Sequence, residues 1–358
     1  MVFLNHGSFG ACPRPVFEAY QRWQLELERQ PVEFLVRRSE GLLGLERREL
    51  GGFLGAPADD LVFVTNVTAA VNLVAHGLDL GPGDEVLGTD HEYGACVRAF
   101  RFHSARRGYA YLSQPVRDPE TMVDELWEGV TPRTRLLLVS HLTSPTALVF
   151  PVAEVCRRAR EAGILTLIDG AHAPGQLDLD LSVLGADLYT GNLHKWLNAP
   201  KGCAFLYATP EVQQRLRPLI VSWGWEPKTP PNFLAWHQGQ GTRDLSAFLS
   251  TSAAIEYHRR HLSSSVRAAC RGLARRFHRS MQQRTDLRTP VSDAQLAAAR
   301  LPEGTDVDAL KERLYDRHRV EMPVYLWNGQ PYVRIACQAY NSSEEVDYAV
   351  EAILAEIT

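Results

Sequence analysis

Between Leu61 and Tyr207 short apolar runs alternate with stretches long enough for helices: Leu61–Val64, Glu85–Gly88, Ala110–Leu112, Leu136–Ser140, Ile164–Ile168, Asp187–Thr190 and Ala204–Tyr207. Continuous apolar runs belong to strands covered on both faces, and strands that return through helices run parallel. The pattern therefore predicts an α/β domain built on a mostly parallel, seven-stranded sheet. Ahead of it, Phe17–Arg29 and Glu40–Leu54 are rich in Leu, Glu and Arg and predict helices, while the glycines near the N-terminus and Pro13 to Pro15 predict an extended arm. The stretch from Trp223 to Gly241 carries many Pro, Gly and Trp residues and predicts a long ordered loop, followed by a helix over Asp244–Arg260.

Beyond about residue 262 the alternation changes. A helix is predicted over Ser265–Arg284, a strand over Ala294–Arg300, a helix over Val307–Arg317, strands over Val320–Tyr325 and Tyr332–Cys337, and a last helix from Ser343. This is the pattern of a smaller α+β domain. The expected partition is an N-terminal arm over residues 1–20, a large domain over 21–261 and a small C-terminal α+β domain over 262–358, with the N-terminal segment free to pack with the last. There is no internal repeat and no low-complexity segment.

At 358 residues the chain can bury two sizeable cores. Its 38 Lys and Arg against 42 Asp and Glu leave a net charge of −4, which provides no field for nucleic acid or an anionic membrane. A small molecule is the expected partner. The cysteines at 12, 96, 156, 203, 270 and 337 form no Cys-x-x-Cys pair, so neither a metal site nor a disulfide framework is expected, and a reducing cytoplasm is. The first residues lack a basic n-region with an apolar core, and no apolar run approaches a membrane span, so the expectation is a soluble, unprocessed chain.

Ligands of open α/β sheets collect beyond the carboxyl ends of the strands. Five polar clusters fall there: Thr65–Thr68, Asp90–Tyr93, His141–Ser144, Asp169–His172 and Asn192–Lys195. Lys195 lies between His194 and Trp196 after an apolar strand, whereas Lys201 lies in the turn Ala-Pro-Lys-Gly. A lysine there can hold an aldehyde as a Schiff base. Asp169 ends Ile-Leu-Thr-Leu-Ile-Asp, and a carboxylate so placed can keep a pyridine nitrogen protonated, making the ring an electron sink. Together the two residues point to pyridoxal 5′-phosphate (PLP). Taken singly, each has an ordinary reading: a surface lysine, and a helix N-cap before Ala171.

The companions read the same way. His172 can hydrogen-bond the phenolic oxygen of PLP or be satisfied within its loop. Thr68, at a strand-to-helix junction, can hold a phosphate at the positive end of the helix or act as a plain N-cap. Tyr93 can stack on the ring, with His91 as the alternative, or pack on the following helix. Arg334, in the strand-like Tyr332-Val-Arg-Ile-Ala-Cys337, can grip a carboxylate through two parallel hydrogen bonds or make a surface salt bridge.

With these residues in view the chain resembles class V (fold type I) PLP-dependent enzymes, and within them the isopenicillin N epimerase-like and cysteine C–S lyase group. The motifs that carry the resemblance are Leu4-Asn-His-Gly-Ser-Phe-Gly10, Thr89-Asp-His-Glu-Tyr-Gly94, Ser140-His-Leu-Thr-Ser-Pro-Thr146, Asp169-Gly-Ala-His172, His194-Lys-Trp196 and Arg334 followed by Tyr340-Asn341. The resemblance implies that Lys195 is the Schiff-base lysine and proton carrier, and Asp169 the pyridinium partner. It places His172 and Ser144 beside the phenolic oxygen, and Thr68, Ala69, Asn192 and His194 at the phosphate. It makes Gly241-Thr242 the segment lent to a neighbouring subunit's phosphate site, and therefore implies a homodimer with active sites at the interface. Asn5 and His6 would border the substrate pocket beside Arg334 and His91.

Cys337 lies three residues after Arg334 on a predicted strand, which disfavours a mobile persulfide carrier. Ser144 stands where an asparagine is common, which weakens its assignment. The reaction expected is β-elimination at a C–S bond of a cysteine-derived substrate, releasing pyruvate and ammonia, because elimination needs one base and an acid near the departing sulfur. Epimerisation of the isopenicillin N type is the first alternative and needs a second acid opposite Lys195, for which Tyr93, His91 or His6 are candidates. An aminotransferase or a non-catalytic PLP-fold binding protein comes after it.

Overall fold

The computed structural model describes residues 1–357. Twelve strands are found among them: β1 (Val2–Phe3), β2 (Leu61–Val64), β3 (Glu85–Thr89), β4 (Ala110–Gln114), β5 (Thr134–Ser140), β6 (Leu165–Asp169), β7 (Leu188–Asn192), β8 (Ala204–Ala208), β9 (Leu296–Arg300), β10 (Val320–Glu321), β11 (Val324–Trp327) and β12 (Gln330–Ala336). The chain divides into two compact units, one formed by Cys12–His141 and Phe150–His258, the other by Met1–Ala11, Leu142–Val149 and the residues from Arg259 onward.

The first unit is an α/β layer structure around a seven-stranded sheet of order β2-β8-β7-β6-β5-β3-β4. Every pair from β7 to β4 is parallel, and β8 runs antiparallel to both β2 and β7. All seven apolar runs of the sequence are strands of this sheet. β2, β3, β7 and β8 are buried along their whole length, as sheets covered on both faces require, while the edge strand β4 alternates between half-buried and exposed positions. The Val67–Gly77 helix presents Ala70, Val71 and Val74 to Val62, Leu188 and Leu206 in the core.

The second unit is α+β. Its antiparallel sheet β11-β12-β9 is covered by the helices Ser264–Thr285, Val307–Asp316 and Ser343–Ile357, which bury Phe277, Leu310, Leu314, Val346 and Ile353 against Val333 and Ile335. Here the N-terminal residues are not extended throughout: β1 pairs in parallel with β10, and His6–Phe9 forms one helical turn. The strand expected over Val320–Tyr325 is two strands, broken at Met322 and Pro323. Pro323 cannot donate to a ladder.

Two further differences lie in the first unit. The Trp223–Gly241 stretch contains a helix, Phe233–Gln238, whose N-cap Asn232 accepts from the Ala235 amide at 2.9 Å. The helix expected from Asp244 begins later, at Thr251, after a tighter turn at Phe248–Ser250. Asp244 instead turns its carboxylate onto the Ser246 amide at 2.8 Å, a local bond that competes with helix.

Candidate active site

β6 delivers Asp169 to the carboxyl edge of the sheet, where the side chain is buried. One oxygen accepts the Ala171 amide at 2.8 Å, and the other accepts the Cys96 thiol at 3.3 Å. Half of the capping alternative is thus realised, yet Ala171 begins a turn and no helix. Burial raises the Asp169 carboxyl above its ordinary range, opposed by the Ala171 amide, the Cys96 thiol and nearby Lys195.

The turn after β7 brings Lys195 to the same place. Its Nζ lies 3.1 Å from His172 Nε2, and the fully buried Trp196 donates its indole N–H to His172 Nδ1 at 3.2 Å. Close packing fixes these two turns against each other. Gly175 has φ +92°, and a Cβ there would stand 2.5 Å from the Trp196 carbonyl group, so only glycine permits the approach. His258 adds a bond from its ring to the Gly175 carbonyl at 2.9 Å. Lys201, by contrast, is exposed in the turn before β8.

The Val67–Gly77 helix starts beside the end of β7. Its N-cap is Asn66, not Thr68: the Asn66 side chain takes the Ala69 amide at 2.8 Å, and Asn192 Oδ1 takes the Val67 amide at 3.0 Å. The Ala69 N–H expected to face a phosphate is therefore donated within the cap, and Thr68 stands between the two capped residues. Asparagine outranks threonine as a cap, and its longer amide reaches the third amide of the helix. His194 Nδ1 pairs with the Cys203 carbonyl at 3.0 Å, and burial lowers its ring to about 4.

Tyr93 is the N-cap of the Gly94–Arg107 helix and is half exposed. His91 is buried, its Nε2 bonds the Val116 carbonyl at 2.9 Å, and its ring meets Phe150 edge-on at 5.4 Å. Next to Tyr93 in the chain is a residue that motif reasoning passed over. Glu92 is buried, accepting Thr89 Oγ1 at 2.7 Å and Ser140 Oγ at 2.6 Å, and Ser140 pairs in register with Asp169. Burial pushes the Glu92 carboxyl up to about 7, with Asp169 adding to the shift and the two hydroxyls opposing it. The buried Cys96 thiol is likewise pushed up by burial and by Asp169.

In the second unit Arg334 is buried on β12, and its Nη1 donates to the Ser144 carbonyl at 2.6 Å and to Ser144 Oγ at 2.8 Å. Its other terminal nitrogen lies 3.5 Å from Ser8 Oγ. Asn5 donates to Glu321 at 2.9 Å, and the buried His6 pairs through Nδ1 with Tyr340 Oη at 2.9 Å. Arg334, Ser144, Asn5 and His6 thus gather within this unit. Cys337 is fully buried, and burial raises its thiol far from the reactive range. Thr242 is exposed in the first unit beside Gly241, whose φ is +88°.

Residues 18–348 match the family model described as aminotransferase class-V. The chain belongs to that family. It is 37% identical to isopenicillin N epimerase of Streptomyces clavuligerus over 99% of this chain and 94% of that protein. To a probable chloroplastic L-cysteine desulfhydrase of Arabidopsis thaliana it is 28% identical over 98% of this chain and 82% of that protein. Among solved structures, the cystine C–S lyase C-DES in complex with cysteine persulfide superposes with a TM-score of 0.83 at 24% identity, covering 98% of this chain and 97% of that one. A cysteine desulfurase of Thermococcus onnurineus NA1 gives 0.85 at 19% identity, with coverages of 99% and 94%. The fold is that of the fold type I PLP enzymes.

The class V chain is accordingly a PLP-dependent enzyme. The residues present fit that cofactor on their own chemistry. Asp169 is a buried carboxylate at a strand end, Lys195 an amine within bonding distance of an imidazole, and the Val67–Gly77 helix begins between them and β2.

Proposed function

We propose that this class V enzyme is a C–S lyase that cleaves the Cβ–S bond of a cysteine-derived amino acid. The observation that carries the reading is Lys195 Nζ, 3.1 Å from His172, an amine placed to act as the single base that elimination requires. Elimination needs one base at Cα, whereas inversion needs two. The buried Cys337 supports release of the sulfur to solution rather than its transfer to that thiol.

When bound, PLP supplies the electron sink that lets the Cα proton leave. Lys195 takes that proton and holds it on Nζ. Asp169 would balance the positive pyridine nitrogen, and Thr68, Asn192 and His194 would hold the phosphate end. By the resemblance, Tyr93 would stack on the ring, His172 and Ser144 would serve the phenolic oxygen, Arg334 would orient the substrate carboxylate, and Asn5 and His6 would border the substrate. The Cα–H and Cβ–S bonds break, the sulfur departs with a proton as a thiol or sulfur acid, and hydrolysis gives pyruvate and ammonia.

Epimerisation is the second reading, favoured by the 37% identity to isopenicillin N epimerase against 28% to the desulfhydrase. Incubating the holoenzyme with L-cysteine, cysteine conjugates and cysteine sulfoxides in deuterated water separates the two. Pyruvate release marks elimination, and deuterium at Cα with inverted configuration marks epimerisation. Pyruvate from none of these substrates would refute the lyase assignment.

We also read the enzyme as a cytoplasmic homodimer that shares its phosphate site through Gly241-Thr242. Support comes from the exposed Thr242 on a cleft of about 530 Å³ that it lines with Val36 and Trp223, the latter 97% exposed. Leu219, Ile220 and Val221 are further exposed apolar side chains of the same unit, and all six cysteines are free.

A further inference from the structure

An indole N–H only donates, so the His172 Nδ1 that receives the Trp196 N–H at 3.2 Å must carry a lone pair. A neutral imidazole then has its proton on Nε2, and Nε2 is the atom 3.1 Å from Lys195 Nζ. An N–H at that position needs an acceptor. Lysine accepts only as the uncharged amine; an ammonium would need Nε2 as its acceptor, which would drive the ring proton onto Nδ1 against the indole N–H.

We propose that Trp196 is a positioning residue that fixes the tautomer of His172, so that Nε2–H faces Lys195 and selects its nucleophilic amine form. The proposal rests on the reading of Lys195 as the residue that captures PLP, and adds to it the group that keeps the amine ready. The geometry is held by more than the two bonds. His172 and Trp196 are both buried, their rings lie 6.5 Å apart at a tilt of 55°, and Gly175 locks their turns together. Gln176 donates to the His172 carbonyl at 2.6 Å, fixing the backbone from which the ring projects. Second-sphere acceptors fix histidine tautomers at metal sites through the same coupling, where the partner of the far ring nitrogen sets the near one; here a donor at the far nitrogen acts in the opposite sense.

The test is Trp196→Phe, which keeps an aromatic ring and deletes the donor. In the apoprotein, nitrogen-15 NMR of His172 reads the tautomer without any cofactor. The parent shows the proton on Nε2, and the variant shows it moved to Nδ1 or shared. Capture of added PLP, followed by absorbance, slows about fivefold at neutral pH, the equivalent of about one ordinary hydrogen bond, and its pH profile moves to higher pH. A parent carrying the proton on Nδ1, or a folded variant with an unchanged tautomer, overturns the proposal. If phenylalanine does not fold, benzothienylalanine at position 196 keeps the indole shape and removes only the N–H, and the same tautomer shift is required of it. Failure of both proteins to capture PLP would refute the reading of Lys195 and leave the NMR result to decide the role of Trp196.

Discussion

Replacing Glu92 by glutamine isolates one buried carboxyl beside the Ser140–Asp169 strand pair. Its two oxygens meet the hydroxyls of Thr89 and Ser140, and an amide of the same shape can keep both contacts because a hydroxyl donates or accepts. What changes is the ionisation. The Glu92 carboxyl is lifted from 4.5 to about 7, so between those values the unfolded chain has lost a proton that the folded protein keeps. Stability from this group is therefore complete below pH 4.5 and is lost as the pH rises through about 7. At about 1.4 kcal/mol per tenfold, the loss amounts to about 3 kcal/mol. A glutamine side chain, which does not ionise, escapes this loss.

The assay is urea unfolding of the apoprotein and Glu92→Gln at several pH values from 4.5 to 8.5. The variant gains on the parent across this range, by about 3 kcal/mol in all, and the gap is flat above about pH 7.5. Glu46, also pushed up to about 7 by burial, contributes equally to both proteins and cancels in the difference. Asp169 does not cancel entirely, because its charge is one of the causes that raise Glu92, and repulsion between two carboxylates is mutual. Removing a neighbouring charge makes Asp169 easier to ionise, which enlarges the gain at high pH. A gap that stays constant or shrinks as pH rises would refute the reasoning, since it would mean that the two hydroxyls hold Glu92 as a carboxylate throughout.

Lys195→Ala should leave a folded, colourless protein beside a yellow parent whose absorbance disappears on borohydride reduction; a yellow variant would move the cofactor lysine elsewhere. Arg334→Lys keeps the charge and loses the paired donors on Ser144, so KM for the amino-acid substrate should rise about tenfold or more with a smaller change in kcat, as steady-state kinetics would show. Gly175→Ala forces a side chain into a left-handed backbone at φ +92° and against Trp196, and should cost about 3 kcal/mol or more in unfolding experiments.

Six of the seven strands of the large sheet were legible as apolar runs because strands covered on both faces need no polar alternation, while the exposed edge strand β4 showed only as the short run Ala110–Leu112. Elements with weaker physical signals were not. The Phe233–Gln238 helix is too short to establish a period, and its start depends on the Asn232 cap, which looks like any asparagine in a loop. Asn66 competed with Thr68 for one cap, and only the backbone decides which side chain reaches the Ala69 amide. Asp169 and Lys195 stood out because strand ends and chemistry coincide there.

The Glu92 cluster escaped for a different reason. Its bond to Ser140 spans 48 positions and the Cys96 bond to Asp169 spans 73, so neither leaves a local pattern. Both follow from strand order. Because β5 lies between β6 and β3 while β4 is sent to the edge, the end of β3 faces the end of β5, and Ser140 stands beside Asp169. Had β4 been inserted next to β5, Glu92 would lie a strand further from Asp169 and its carboxyl would feel that charge across roughly 5 Å more, at a correspondingly smaller energy. The ionisation of this site is set by topology as much as by the residues themselves, which is why Glu92→Gln probes the crossover order as well as the acid.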